Sequence, residues 1–148
     1  MGFVLSLVAG FISSACFYGL IRLREKNKFK EVLEDIDGAI YTHYELDGRP
    51  SRGNNSIIRY IEPNILHIKT CSPEVNHPWE GKVTMSELTP RIGTGYFEYL
   101  YPDKESWGTI RIHIKENDDI LVHSVHKEKD NEASYIMKKN PKKQYIRS

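Results

Sequence analysis

Hydrophobic and polar positions divide the chain into three regimes. Residues 3–23, FVLSLVAGFISSACFYGLIRL, form an apolar run whose one charge, Arg22, comes at its end. About twenty residues at the helical rise cross the hydrocarbon core of a bilayer, so the run predicts a single transmembrane helix. Over residues 26–36, Phe29, Val32, Leu33 and Ile36 recur at three-to-four spacing. That period predicts a short helical stalk continuing the membrane helix and ending before Asp37-Gly38. Beyond Gly38 the apolar period becomes two.

Eight segments carry the alternation: 39–46, 56–61, 65–71, 79–88, 96–101, 107–115, 120–127 and 133–138. The sixth is the clearest, with Ile110, Ile112 and Ile114 set against Thr109, Arg111, His113 and Lys115. Turn chemistry separates them: Asp47-Gly48-Arg49-Pro50 with a Gly53-Asn54-Asn55 loop, Glu62-Pro63-Asn64, a loop holding Pro73 and Pro78, Gly93-Thr94-Gly95, and Asn117-Asp118-Asp119. No connection offers a crossover helix, so the strands must run antiparallel. An open sheet of that size leaves two edges, and closure removes them. The expected fold is all-β, a small eight-stranded antiparallel up-and-down barrel behind one N-terminal transmembrane helix, similar in shape to lipocalins and avidins. A β-sandwich is the alternative. The organisation expected is an anchor over 1–24, a basic stalk over 25–37, a barrel over 38–140 and a basic tail over 141–148. Trp79-Glu80-Gly81 and Trp107-Gly108 both open strands with Trp and Gly. Glycine there marks a bend or bulge, a geometric device and not a site.

Charge orients the anchor. Arg22, Arg24, Lys26, Lys28 and Lys30 follow the apolar run against Glu25, and only Met1 and Gly2 precede it. Basic flanks stay cytoplasmic, so the barrel is expected inside the cell on the inner (plasma) membrane, single-pass. Competing readings fit less well. A cleaved signal lacks its basic n-region and cleavage site, and a lipoprotein box at Cys16 has Ser13 where an aliphatic residue belongs. Met1-Gly2-Phe3-Val4-Leu5-Ser6 formally fits a myristoylation pattern, which a spanning helix makes redundant. Gly10 with Ser14 and Ala15 with Gly19 are small residues four apart, which suit a homo-oligomer packed through the helix. Lys+Arg 21 against Asp+Glu 20 argues against a nucleic-acid polymer as partner. Cys16 and Cys71 lie in different compartments and cannot form a disulfide framework. The acid-free stretch 138–147 either binds anionic lipid or is a solvated terminus.

Catalytic and metal patterns do not emerge. His43, His67, His77, His113, His123 and His126 make no ligand spacing, and they are expected as scattered surface residues, with His123 and His126 on opposite strand faces. No Gly-x-Ser-x-Gly elbow occurs, Cys71 has no recognisable His partner, and carboxylates such as Glu98 and Asp103 cannot be paired. No enzyme, metal or cofactor is expected. Nine tyrosines and two tryptophans supply stacking surfaces and hydroxyl handles, although aromatics also simply fill barrel cores. Arg59 lies between Ile57 and Ile61, and in one registry it turns inward, where it needs an anionic ligand or a carboxylate. In the other, Ile58 and Tyr60 turn inward and Arg59 faces water. Candidate ligand contacts are Arg59, Tyr60, Trp79, Tyr96 and Trp107, for a small anionic molecule such as a cyclic nucleotide. The alternative function is a membrane-tethered module that docks a protein partner.

The anchor, the basic stalk and the motifs Trp79-Glu80-Gly81, Gly93-Thr94-Gly95-Tyr96 and Trp107-Gly108 resemble the membrane-anchored β-barrel effectors of bacterial cyclic-oligonucleotide anti-phage systems. The resemblance implies a barrel that senses a cyclic nucleotide, and membrane helices that oligomerise and disrupt the inner membrane. This chain differs in having one apolar run where such effectors usually have two. Lipocalins are similar only in shape, since Gly38-Ala39-Ile40 stands where their Gly-x-Trp would be.

Overall fold

In the computed structural model, residues 2–61, 63–71, 78–100, 106–127 and 131–144 are described, with backbone alone at 2–12, 25–26, 52–53 and 142–144. The side chains of the apolar run's amino-terminal half, with the myristoylation pattern and Gly10, lie outside the described residues. So do Glu62, Pro73, His77, Tyr101, Asp103 and residues 145–148. One helix, α1 (Gly2–Leu33), is followed by a 3-10 turn (Glu34–Ile36) and eight strands. These are β1 (Ala39–Glu45), β2 (Pro50–Ile61), β3 (Ile65–Thr70), β4 (Trp79–Met85), β5 (Ile92–Tyr99), β6 (Trp107–Ile114), β7 (Ile120–His126) and β8 (Glu132–Gln144). Each strand pairs antiparallel with the next, and β8 returns to β1 with His43 opposite Met137 and Tyr44 opposite Ile136. The sheet is a closed up-and-down barrel, as the alternation predicted.

Strand ends depart from expectation where bulges lengthen them. β2 takes in the Gly53-Asn54-Asn55 segment, because a register shift lets Thr42 face Asn55 while Tyr44 faces Pro50. The basic tail is not free up to Gln144: β8 continues to that residue, and Ala39 opposes Gln144 across a second shift. Pro141 falls within that irregular stretch, where a residue without an N–H is tolerated. Gly93-Thr94-Gly95 lies inside β5 and is no turn, while β4 stops at Met85, three residues short of Leu88. A Cβ at Gly95 would run into the Lys82 carbonyl, so glycine there permits a backbone approach that no other residue allows.

The helix closes one mouth of the barrel. Phe29, Leu33 and Ile36 are buried against Ala39, Tyr41, Ile58, Leu66, Met85 and Ile114, in one apolar cluster continuous with the barrel interior. Each plug side chain contributes roughly 1.5–3 kcal/mol of transfer free energy. Polar ties fix the junction. The Gly38 N–H donates to the Ile58 carbonyl at 2.7 Å, and the Tyr60 N–H donates to Asp37 Oδ1 at 2.9 Å. Lys139 Nζ donates to the Asp35 carbonyl at 2.6 Å and lies 3.9 Å from Asp118 Oδ2. Gly38 sits at φ +72°, which turns the chain out of the helix and into β1. Above this mouth the interior is filled by Ile68, Val83, Ile112, Val122 and Met137, all fully buried.

Candidate functional site

The interior changes chemistry toward the opposite mouth, where β1, β3, β5 and β7 end and β4, β6 and β8 begin. His43 shares the inner face of β1 with Ala39 and Tyr41 and is only 3% exposed. Its Nε2 is 2.9 Å from Ser56 Oγ, and its ring stacks on Tyr135 at 5.0 Å and 20°. Trp79 tilts against His43 at 6.4 Å and meets Phe97 edge-on at 5.9 Å. Phe97 meets Tyr99 at 5.7 Å, and Tyr99 lies 5.6 Å from His126. Tyr135, His43, Trp79, Phe97, Tyr99 and His126 thus form a continuous chain of rings around one end of the interior. Tyr99 and Tyr135 titrate above the ordinary phenol value because burial disfavours their charged forms. Burial also pushes His43 down to about 4, so this imidazole is neutral near pH 7.

Hydroxyls and backbone place these rings. The Thr70 hydroxyl donates to the Trp79 carbonyl at 3.1 Å and accepts the Trp79 N–H at 2.9 Å, which pins the start of β4. Ser106 Oγ, buried before β6, is 2.7 Å from His126 Nε2, and His126 Nδ1 is buried with no hydrogen-bond partner among the described residues. Both Ser–His pairs have the reach of a nucleophile and its base. Burial holds His43 below the ordinary imidazole value, and among the described residues nothing orients His126 through Nδ1. The arrangement offers flat faces and hydrogen-bonding atoms, which suits binding. Among the described residues, no group of three His, Cys, Asp or Glu could hold a metal ion.

The structure separates the five expected contacts. Trp79 and Tyr60 face inward, Trp79 in the ring cluster and Tyr60 toward the helix end, with its hydroxyl donating to the Pro63 carbonyl at 2.9 Å. Arg59 turns outward, opposite His67 in the β2–β3 register, because Ser56, Ile58 and Tyr60 take the inner positions. It therefore supplies no cation to the interior. Tyr96 and Trp107 stand on the outer face of β5 and β6, at 52% and 42% exposure, and Lys127 Nζ caps the Trp107 ring at 4.3 Å. The expectation of surface histidines fails for His43 and His126, while the expected split holds, with His123 bonded to Ser134 outside and His126 inside. His43, Ser56, Tyr99, Ser106, His126 and Tyr135 were not anticipated. Strand parity was their signal, since His43 follows Ala39 and Tyr41 at period two and His126 follows Ile120 and Val122.

No protein-family model matches the chain, and no solved structure matches it with significance. Among the described residues no helix is long and apolar enough to cross a membrane, and the apolar run's first half is outside that description.

Proposed function

We propose that this protein is a membrane-anchored, non-enzymatic sensor: a barrel that takes a small planar ligand at its aromatic mouth and passes occupancy to its helix. The anchor reading rests on the uncharged run of residues 3–21, and on Phe17, Tyr18, Leu20, Ile21 and Leu23, which surround the helix and are all exposed. A helix apolar on every side calls for lipid. Basic residues after the run favour the inner membrane with the barrel in the cytoplasm.

The observation that carries the ligand reading is the chain of six rings with inward polar atoms at the mouth opposite the helix plug. With Arg59 outside and His43 neutral, the interior recognises a neutral heteroaromatic ring and not an anion. A nucleobase meets that description, and a cyclic nucleotide would place its base among the rings and keep its phosphates at the mouth. The resemblance of the apolar run, the basic stalk and the Trp/Gly-opened strands to membrane-anchored barrel effectors of anti-phage systems is a further reason for this choice. Ligand binding that stiffens the ring end bears on the filled core beneath it, and that core is continuous with Phe29, Leu33 and Ile36.

The two tryptophans make a direct test, because one faces in and the other out. In the Trp107→Phe variant, titration with nucleosides and cyclic nucleotides should change Trp79 emission saturably. In Trp79→Phe, the same titration should leave Trp107 emission unchanged. No saturable change in either variant would overturn the ligand reading. A second reading, a tethered module that docks a protein, is favoured by exposed Tyr96 and Trp107 on adjacent strands. It predicts a partner lost with Tyr96→Ala and Trp107→Ala and kept with Trp79→Phe.

A further inference from the structure

Charge is not spread evenly over the barrel. Among the described residues, the outward strand positions carry Arg59, Lys69, Lys82, Arg111 and Lys138, with Lys127 just past β7, against Glu80, Glu98 and Glu132. Glu80 is already engaged, 3.6 Å from His67 Nε2 and 3.7 Å from Lys69 Nζ. The other described carboxylates stand at the turns, the rim and the helical stalk. The near balance of charge along the whole chain averages over this segregation, and the wall by itself is basic.

Exposed aromatic rings stand on the same wall. Tyr96 faces Thr109 across β5–β6, and Trp107 lies two residues before Thr109, so the two are diagonal neighbours, about 7–8 Å apart at the backbone. Lys82 faces Tyr96 across β4–β5, and Lys127 Nζ lies over the Trp107 ring. Beside them the short side chains of Thr94 and Thr109 leave a shallow cleft of about 370 Å³, with Arg111 and His123 on its wall. Flat faces interleaved with cations suit a single strand of nucleic acid, whose bases stack on the rings while its phosphates meet the cations. A duplex keeps its base faces covered, and an acidic peptide would use the cations and leave the rings idle. Lys127 covers the face of Trp107 that a base would take, and its flexible stem lets the ammonium move from ring to phosphate as the base arrives. We propose that the outer wall of β4–β7 binds single-stranded nucleic acid, with Tyr96 and Trp107 as stacking platforms and Lys82, Arg111 and Lys127 as phosphate contacts. This surface is separate from the ring-lined mouth, because both of its rings point away from the interior.

The test uses the full chain in phosphatidylcholine nanodiscs and a fluorescein-labelled polyuridylate of about fifteen nucleotides, followed by anisotropy. The proposal expects saturable binding that weakens steeply as salt rises. Tyr96→Ala and Trp107→Ala should each weaken it by about fivefold or more, and Lys82→Glu should weaken it too. In Trp79→Phe, which keeps only the outward tryptophan, unlabelled polyuridylate should quench Trp107 emission saturably. That readout leaves both outward rings in place. Absence of binding at low salt overturns the proposal. Labelled polyglutamate bound as tightly, or polyuridylate binding unchanged by both ring variants, shows charge alone at work and overturns it as well.

Discussion

His43 is a neutral imidazole held inside the barrel, pushed down to about 4 from an ordinary 6.5. Between those values the unfolded chain takes a proton that the folded chain refuses. The stability it contributes is complete above pH 6.5 and is lost as pH falls toward 4, by at most about 3 kcal/mol. Urea denaturation across that window should show the loss, and His43→Gln should flatten it. Tyr41 predicts the opposite kind of effect. Its side chain is fully buried, and its hydroxyl finds no hydrogen-bond partner among the described residues. Burial first, then Asp118, Asp119 and Asp35, hold that phenol well above its usual range. Tyr41→Phe removes the unsatisfied group and should stabilise by about 1 kcal/mol, read as a higher urea midpoint. At this scale sequence and structure part most. Residues 57–61 are apolar on both faces, so alternation alone could not orient Arg59. Contacts from outside β2 decide it: Ile36 of the plug lies in the apolar cluster with Ile58, and His43 bonds Ser56. His43 itself was visible by parity and hidden by polarity, because a histidine on a strand reads as surface until the ring beside it is known.

Among the elements, the strand count, their order and the helical stalk were legible from period alone, and their ends were not. Bulges set those ends, and a bulge leaves no period to read. The glycines on the inner face of β5 allow β4 and β5 to approach closely. Gly95→Ala should cost about 2–3 kcal/mol, since the new Cβ meets Lys82 backbone that cannot move aside as a side chain would. Equilibrium unfolding checks it, and a neutral result would mean that the β4–β5 approach relaxes freely. The helix plug makes a sharper claim about where the domain begins. Leu33 is fully buried, so Leu33→Ala should cost about 2–5 kcal/mol. A fragment beginning at residue 27 should melt well above one beginning at residue 37, because the shorter piece opens the barrel mouth that Phe29, Leu33 and Ile36 close. Equal melting temperatures would show that α1 is a tether and not part of the core.

At the scale of the whole molecule, three parts stand in series: an apolar helix, a barrel floor made from that helix's last turns, and a ring-lined mouth at the far end. The barrel and the helix before it could be read from the sequence. The ring-lined mouth could not, because its six rings come from five different strands that only closure of the sheet brings together. Under the proposed reading, the ring-lined mouth and the helix are coupled because both pack on one continuous apolar cluster. The most direct measurement is the thermal stability of the full chain in nanodiscs against a panel of nucleosides, nucleotides and cyclic nucleotides. A ligand that binds only the folded state raises the melting temperature with concentration. The account predicts such a rise for at least one ligand with a heteroaromatic base, abolished by Trp79→Ala and unchanged by Arg59→Ala. No rise across the panel, or a rise lost with Arg59→Ala and kept with Trp79→Ala, would contradict it.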